Sequence, residues 1–372
     1  MIEPQLIPAP DPLAARPAAS SSQKLKHNLI FVLKLAIAIG ALYYVVVTKV
    51  MPDPSRVPPE QLATAQEGLR RLTAMLTSPA LMLAAIAAFS IQMIIGAQRL
   101  RVLLAPLGVK LSYLTALRLT YVGAFFDTFM ITSVGGDFIK AYYLAKEAPK
   151  EHRVEAVSVL LLDRLMGLLG LLTLALTVAA FEYQKLAGKP EIPPWLIRAF
   201  VVVPCVLLVG TVMLLSETVY LSKPMQFMLR VLPMGAMLSR AYGALQQFRD
   251  RPAVLLKAFL LSIVVHLFGI VTGYILMAGG EFHASSLGDF AVALLICNFA
   301  VSFAPFGGIG TGQLVYGPLF KIIAQMDLGW VMATVMQAAI LLAKAPGFIA
   351  WLLSREHRAP ELAPSPELTA KS

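Results

Sequence analysis

Eight runs of apolar residues constrain this chain more than any other feature, covering residues 29–48, 79–97, 111–134, 154–181, 196–216, 253–278, 289–326 and 328–353. A helix rises about 1.5 Å per residue, so about 20 apolar residues cross the roughly 30 Å of hydrocarbon in a bilayer. No water is available there to satisfy peptide groups, so only helices or closed barrels can span. The runs are continuous rather than alternating, which selects helices over barrel strands. The expected fold is an all-α, polytopic integral membrane helical bundle.

Composition leaves little room for anything else. Hydrophobic residues make up 58% of the chain and charged residues only 14%, against about 25% charged in a typical soluble domain. A net charge of +10 would point to nucleic acid in a soluble protein. Here the Lys and Arg residues stand in short loops between apolar runs, where they set topology and meet anionic lipid, so no nucleic-acid partner is expected. Cys205 and Cys297 both lie inside apolar runs and the five His residues are scattered. Neither a disulfide framework, a metal site nor a cofactor is indicated.

Residues 1–28 are polar and rich in Pro, Ala and Ser, and read as a disordered cytoplasmic N-terminus. The run 29–48 is too long for a signal-peptide core and reads as an uncleaved first span. The membrane domain covers 29–353, and the Pro-rich tail 354–372 reads as disordered and cytoplasmic. The basic, partly amphipathic stretch 217–250 suits the cytoplasmic membrane surface.

Two runs differ from ordinary spans. Segment 111–134 carries Arg118, Asp127 and Gly123, and segment 289–326 is interrupted by Pro305, Gly307, Gly308, Gly310 and Gly312. If all eight runs crossed, most loop Lys and Arg residues would lie outside. Treating the two unusual runs as re-entrant hairpins places most of them inside, as the positive-inside rule requires. The resulting architecture has about six spans plus two hairpins entering from opposite faces, an arrangement that suggests an inverted repeat.

Several polar residues stand at membrane depth. Asp163 and Arg164 lie about nine residues, roughly 13 Å, into their segment, where ionisable groups are costly unless paired or wetted. Gly135, Gly136 and Asp137 form a candidate phosphate-approaching turn with Lys140 one helical turn on, although a plain helix start uses the same residues. Arg118 and Asp127 are nine residues apart, so they would pair within their segment only if it bent, for instance near Gly123. Gly307, Gly308, Gly310 and Gln313 break the second hairpin, leaving backbone amides that need partners; close helix packing through small residues is the competing explanation. Gln337 and Lys344, seven apart, share one helix face.

Together, Gly-Gly-Asp at 135–137, Lys140, Asp163-Arg164 followed by Gly167, and Pro-Phe-Gly-Gly-Ile-Gly at 305–310 resemble the transmembrane domain of lysylphosphatidylglycerol synthases. The likeness runs from about residue 29 to 353. The resemblance implies a lipid flippase of the bacterial inner (plasma) membrane, moving a phospholipid or lipid-phosphate headgroup between leaflets, with both termini cytoplasmic. The relatives' soluble aminoacyl-transferring domain has no counterpart here, since the longest polar stretch is only about 40 residues, and no catalytic motif is present. Family members often carry Arg at position 140, Pro before Gly-Gly-Asp, and Glu where this chain has Gln313. On this reading Arg118, Lys140 and Arg164 face a phosphate, and Asp127, Asp137 and Asp163 hold those cations or bind a headgroup amine. The alternatives are a membrane-embedded or accessory component of a lipid-linked aminoacyl or glycosyl transferase, which makes a partner transferase possible, a proton-coupled solute carrier using Asp163, and a non-transporting subunit that scaffolds a cytoplasmic enzyme through the basic 217–252 loop.

Overall fold

The computed structural model describes residues 43–50, 58–130, 135–184, 194–216 and 242–356, with isolated positions besides. Most of the first span 29–48, the stretch 223–241 and both polar termini, up to residue 35 and from 357 onward, lie outside the described residues. The described chain is helical and contains no strand.

Ten α-helices organise it: α1 (Pro59–Leu76), α2 (Pro79–Leu104), α3 (Tyr113–Phe129), α4 (Gly135–Glu147), α5 (Arg153–Phe181), α6 (Pro194–Leu215), α7 (Pro252–Gly279), α8 (Leu287–Val301), α9 (Thr311–Ala324) and α10 (Gly329–Glu356). Four stretches are long and apolar enough to cross a membrane: Pro79–Leu107, Lys150–Phe181, Pro252–Gly279 and Gly329–Leu353. Helix α6, 22 residues long and mostly apolar, has comparable length. Starts and stops follow local chemistry. Proline opens α1, α2 and α7, where its missing N–H costs no helical bond. Ser112 and Ser286 cap α3 and α8 by accepting from Thr115 N at 3.1 Å and Asp289 N at 2.9 Å.

The two unusual runs are helical hairpins whose arms are too short to span alone. In the first, α3 and α4 pair antiparallel, with Arg118 Nη2 2.7 Å from Glu147 Oε1 near the open end and Asp127 beside Gly136 near the tip. In the second, Ser285 N donates to Ala324 O at 2.9 Å at the open end, and Tyr316 OH donates to Asn298 Oδ1 at 2.8 Å further in. The tips meet: Phe306 N donates to Met130 O at 3.3 Å, and a Cβ on Gly307 would lie 3.0 Å from Thr128 Cα. Arms of 17 and 13 residues facing arms of 15 and 14 together reach about 40–48 Å, comparable with a whole bilayer including its headgroups. This is the geometry of opposed re-entrant hairpins.

Two apolar cores hold the hairpins. One joins the ends of α2, α3, α4, α5 and α7 through Leu103, Leu144, Ala156, Phe248 and Ala258; the other encloses α8 with α7, α9 and α10 through Phe290, Leu294, Phe320 and Val335. Lipid tails offer no hydrophobic drive between helices, so close backbone approach carries much of the packing. Gly347 lets α10 lie on α3, since a Cβ there would fall 2.2 Å from Tyr121 O.

Candidate functional site

The longest crossing is antiparallel, between α2 and α7, and it carries polar side chains inward. Gln92 Nε2 donates to Thr272 Oγ1 at 3.3 Å, and about two turns on Arg99 Nη1 donates to Ser262 Oγ at 2.9 Å. From there Arg99 reaches α5: its Nε lies 2.7 Å from Asp163 Oδ1. Lys140 Nζ of α4 approaches the other carboxylate oxygen at 3.6 Å. These three side chains are only 9–12% exposed, so one buried carboxylate faces two buried cations. Removing charges from water is costly, and such a cluster persists only when fully paired and hydrogen-bonded.

Next to it, Arg164 Nη1 donates to Asp137 Oδ2 at 2.6 Å, and Gly136 N donates to Asp127 Oδ1 at 3.4 Å. His266 Nε2 lies 3.0 Å from Gly167 O. A side chain at Gly167 would sit 3.3 Å from Arg99 Nη1, so this glycine makes room for the guanidinium.

The site residues read from sequence fall into two groups. Asp127, Gly135, Gly136, Asp137, Lys140, Asp163 and Arg164 come together where α3, α4 and α5 meet, with Arg118 nearer the open end of the hairpin beside Glu147. Gly307, Gly308, Gly310 and Gln313 lie at the second tip, where Phe306, Gly307, Gly308 and Gly310 have φ of 53°, 58°, 86° and 77°.

Three local readings resolve in the structure. Asp163 and Arg164, neighbours on a helix and so about 100° apart, each bind a charge on another helix. Arg118 does not meet Asp127, because α3 runs unbroken through Gly123. Gly123 is instead a packing position: a Cβ on Gly136 would fall 2.0 Å from Gly123 O. The amide of Gly136, offered by sequence to a phosphate, faces the Asp127 carboxylate.

Sequence reasoning missed Arg99, Ser262 and His266. Arg99 lies just past the apolar run ending at 97, and α2 continues beyond it to Leu104. A helix carrying an Arg at its last apolar turn was the available signal. Ser262 and His266 are four apart and thus share a face of α7, a pattern legible in sequence but common in any bundle.

A second polar region surrounds the second tip. A cavity of about 130 Å³ is lined by residues including Asn298, Gln313, Tyr316, Gln337 and Lys344. Lys344 Nζ donates to Thr128 Oγ1 of the first hairpin at 3.2 Å, so this cation stands at the junction of the two tips.

No characterised protein and no solved structure matches the chain. The family model described as lysylphosphatidylglycerol synthase TM region matches residues 31–352, a stretch that includes both hairpins, the long helices but for the last turn of α10, and every residue of the buried charge cluster. The chain therefore belongs to the lysylphosphatidylglycerol synthase transmembrane-region family.

Proposed function

We propose that this protein is a lipid translocase that moves a phosphate-bearing headgroup between the leaflets of a bacterial inner membrane while the acyl tails stay in hydrocarbon. The observation that carries this reading is the meeting of two half-length hairpins tip to tip beside buried charge. Non-helical backbone at membrane depth is tolerated where it is buried in protein or lines a cavity, and a contact between tips is a natural barrier between two half-channels. The family is one of lipid-modifying membrane proteins, which supports a lipid substrate. Arg101, Lys146, Lys150, Arg153, Arg249 and Arg251 gather where the first hairpin opens; by the positive-inside rule that end is cytoplasmic.

The barrier reading has a direct test. The Cβ built on Gly307 lies 3.5 Å from Thr128 Cβ, within the range a disulfide bridges. Thr128→Cys with Gly307→Cys, in a chain whose Cys205 and Cys297 are replaced by Ala, is expected to lock the tips on oxidation. In proteoliposomes carrying fluorescent phosphatidylglycerol, its lysyl derivative or a polyprenyl phosphate, leaflet exchange of one lipid should stop when the bridge forms and resume on reduction. Exchange indifferent to the bridge rejects the tips as the barrier. Folded protein that accelerates exchange of no lipid would favour an accessory role beside a transferase.

A further inference from the structure

The cavity at the hairpin junction is chemically unlike the charge cluster beside it. In the cluster, each cation faces a carboxylate. Lys344 has none within 4.0 Å among the described residues, and its hydrogen bond goes to a neutral hydroxyl, that of Thr128. Asp127 is near enough to be felt electrostatically, but its carboxylate accepts from Gly136. A second feature points into the same space. Gln313 Oε1 and Gln337 Nε2 are buried and without hydrogen-bond partners, and both residues line the cavity. Gln313 is only 6% exposed. An unsatisfied buried polar atom is costly, and two of them on residues that line one cavity beside a cation are explained by a ligand that supplies what they lack.

The complement of these groups is specific. Lys344 and the Gln337 amide donate, which calls for an anion; Gln313 Oε1 accepts, which calls for a hydroxyl on the same ligand. No carboxylate among the described residues lines the cavity, so an ammonium headgroup has no counter-charge there. The cavity, about 130 Å³, has room for a phosphate with a short alcohol. We infer that the hairpin junction binds a phosphate ester carrying a free hydroxyl, as in a phosphoglycerol headgroup, with Lys344 on the phosphate and Gln313 on the alcohol. This deepens the translocase reading, on which it rests for the ligand's origin in the membrane, but binding is measurable apart from transport.

The test is thermal stabilisation of the purified full chain in detergent, titrated with glycerol phosphate, methyl phosphate and inorganic phosphate, and with short-chain phosphatidylglycerol, phosphatidylcholine and lysyl-phosphatidylglycerol. Glycerol phosphate should bind more tightly than methyl phosphate, and phosphatidylglycerol more tightly than the other two lipids. Lys344→Gln should weaken both favoured ligands about tenfold or more, the weight of one charge-assisted hydrogen bond, and Lys344→Arg should retain part of the affinity. Gln313→Leu should narrow the preference for glycerol phosphate over methyl phosphate, which keeps the proposal testable if Lys344→Gln does not fold. Binding of glycerol phosphate without phosphatidylglycerol supports the site and assigns it to a soluble ester. Equal affinity in wild type and Lys344→Gln, or tighter binding of lysyl-phosphatidylglycerol than of phosphatidylglycerol, overturns it. Binding without any acceleration of leaflet exchange by the wild type rejects the translocase and leaves the site standing; exchange untouched in a variant that no longer binds supports the site and removes it from the translocation route.

Discussion

The two hairpins have similar size and opposite construction. The first carries Arg118, Asp127, Asp137, Lys140 and Glu147 along its arms, and its α4 leaves Phe138 and Tyr142 largely exposed. The second carries Asp289 and Lys321 near its open end and no charge at its tip, and nine consecutive residues of α8, Asp289–Cys297, are buried. One is held in place by ion pairs to its neighbours, the other by apolar enclosure and a strained turn. The difference implies that the first hairpin's position depends on charge and the second's on packing.

The sharpest way to break that contrast is to unbalance the buried cluster. Asp163→Asn keeps the side chain's shape and leaves Arg99 and Lys140 facing each other without a counter-charge. A stability loss of about 3–5 kcal/mol is expected, the usual consequence of stranding a buried charge. Arg118→Ala, which opens the wetter pair with Glu147 at the hairpin mouth, should cost less than about 1 kcal/mol. Unfolding of both variants in one detergent, followed by circular dichroism, measures the gap. Equal losses would mean that the cluster is hydrated and that charge does not anchor the hairpin.

Glycine sharpens the same comparison at a smaller scale. In the first hairpin Gly136 is helical and needed for space, because a Cβ there meets the backbone oxygen of Gly123 at 2.0 Å and neither strand of chain can easily give way. Gly136→Ala is expected to cost about 1–3 kcal/mol, as overpacking does. In the second hairpin Gly307 is needed for its backbone angle, φ 58°, so Gly307→Ala should cost about 1–2 kcal/mol from left-handed strain. Gly312 has neither constraint, with its nearest contact 3.8 Å away, and Gly312→Ala should be close to neutral. The order of the three thermal midpoints checks this, and a neutral Gly136→Ala would remove the close α3–α4 crossing.

The spans were legible because the bilayer imposes length and hydropathy on each one separately; the runs 154–181 and 253–278 differ from α5 and α7 by only a residue or so at each end. The hairpins were legible because Arg118, Asp127 and the 305–312 glycines are unsuited to lipid-facing helix. Partnership was not. Arg99, 64 residues from Asp163 in sequence, comes to it through a crossing of helices that no local spacing encodes. The Gly-Gly of 135–136 was read as a turn because glycine serves turns and tight helix crossings alike, and only the position of Gly123 across the interface decides between them. Helix α1 went unread because it is too polar to count as a span, although Pro59 followed by Glu60 is an ordinary helix start.

Helix α1 supplies the finest probe, because it pins the second hairpin's end of the bundle and leaves the first untouched. Its Arg71 donates to the carbonyls of Gly280 and Glu281 at the end of α7, at 3.1 and 2.7 Å, and is held by Glu67 at 2.6 Å. Two arginines beside the Glu67 carboxylate, Arg70 and Arg71, lower its pKa from 4.5 to about 2. A depressed carboxylate contributes stability that is fully present above its unfolded value and lost as pH falls through the folded one. The α1 contact should therefore hold at pH 5 and loosen between about 4.5 and 2. Trp330 reports it, since its ring packs over Gly68 of α1. With Trp195 and Trp351 replaced by Phe, its fluorescence should titrate in that window, and Glu67→Gln should abolish the titration. Because Glu67 is exposed the amplitude will be small, and a titration that survives Glu67→Gln would assign the change to another carboxylate and remove α1 as a pH-dependent clasp on the second hairpin.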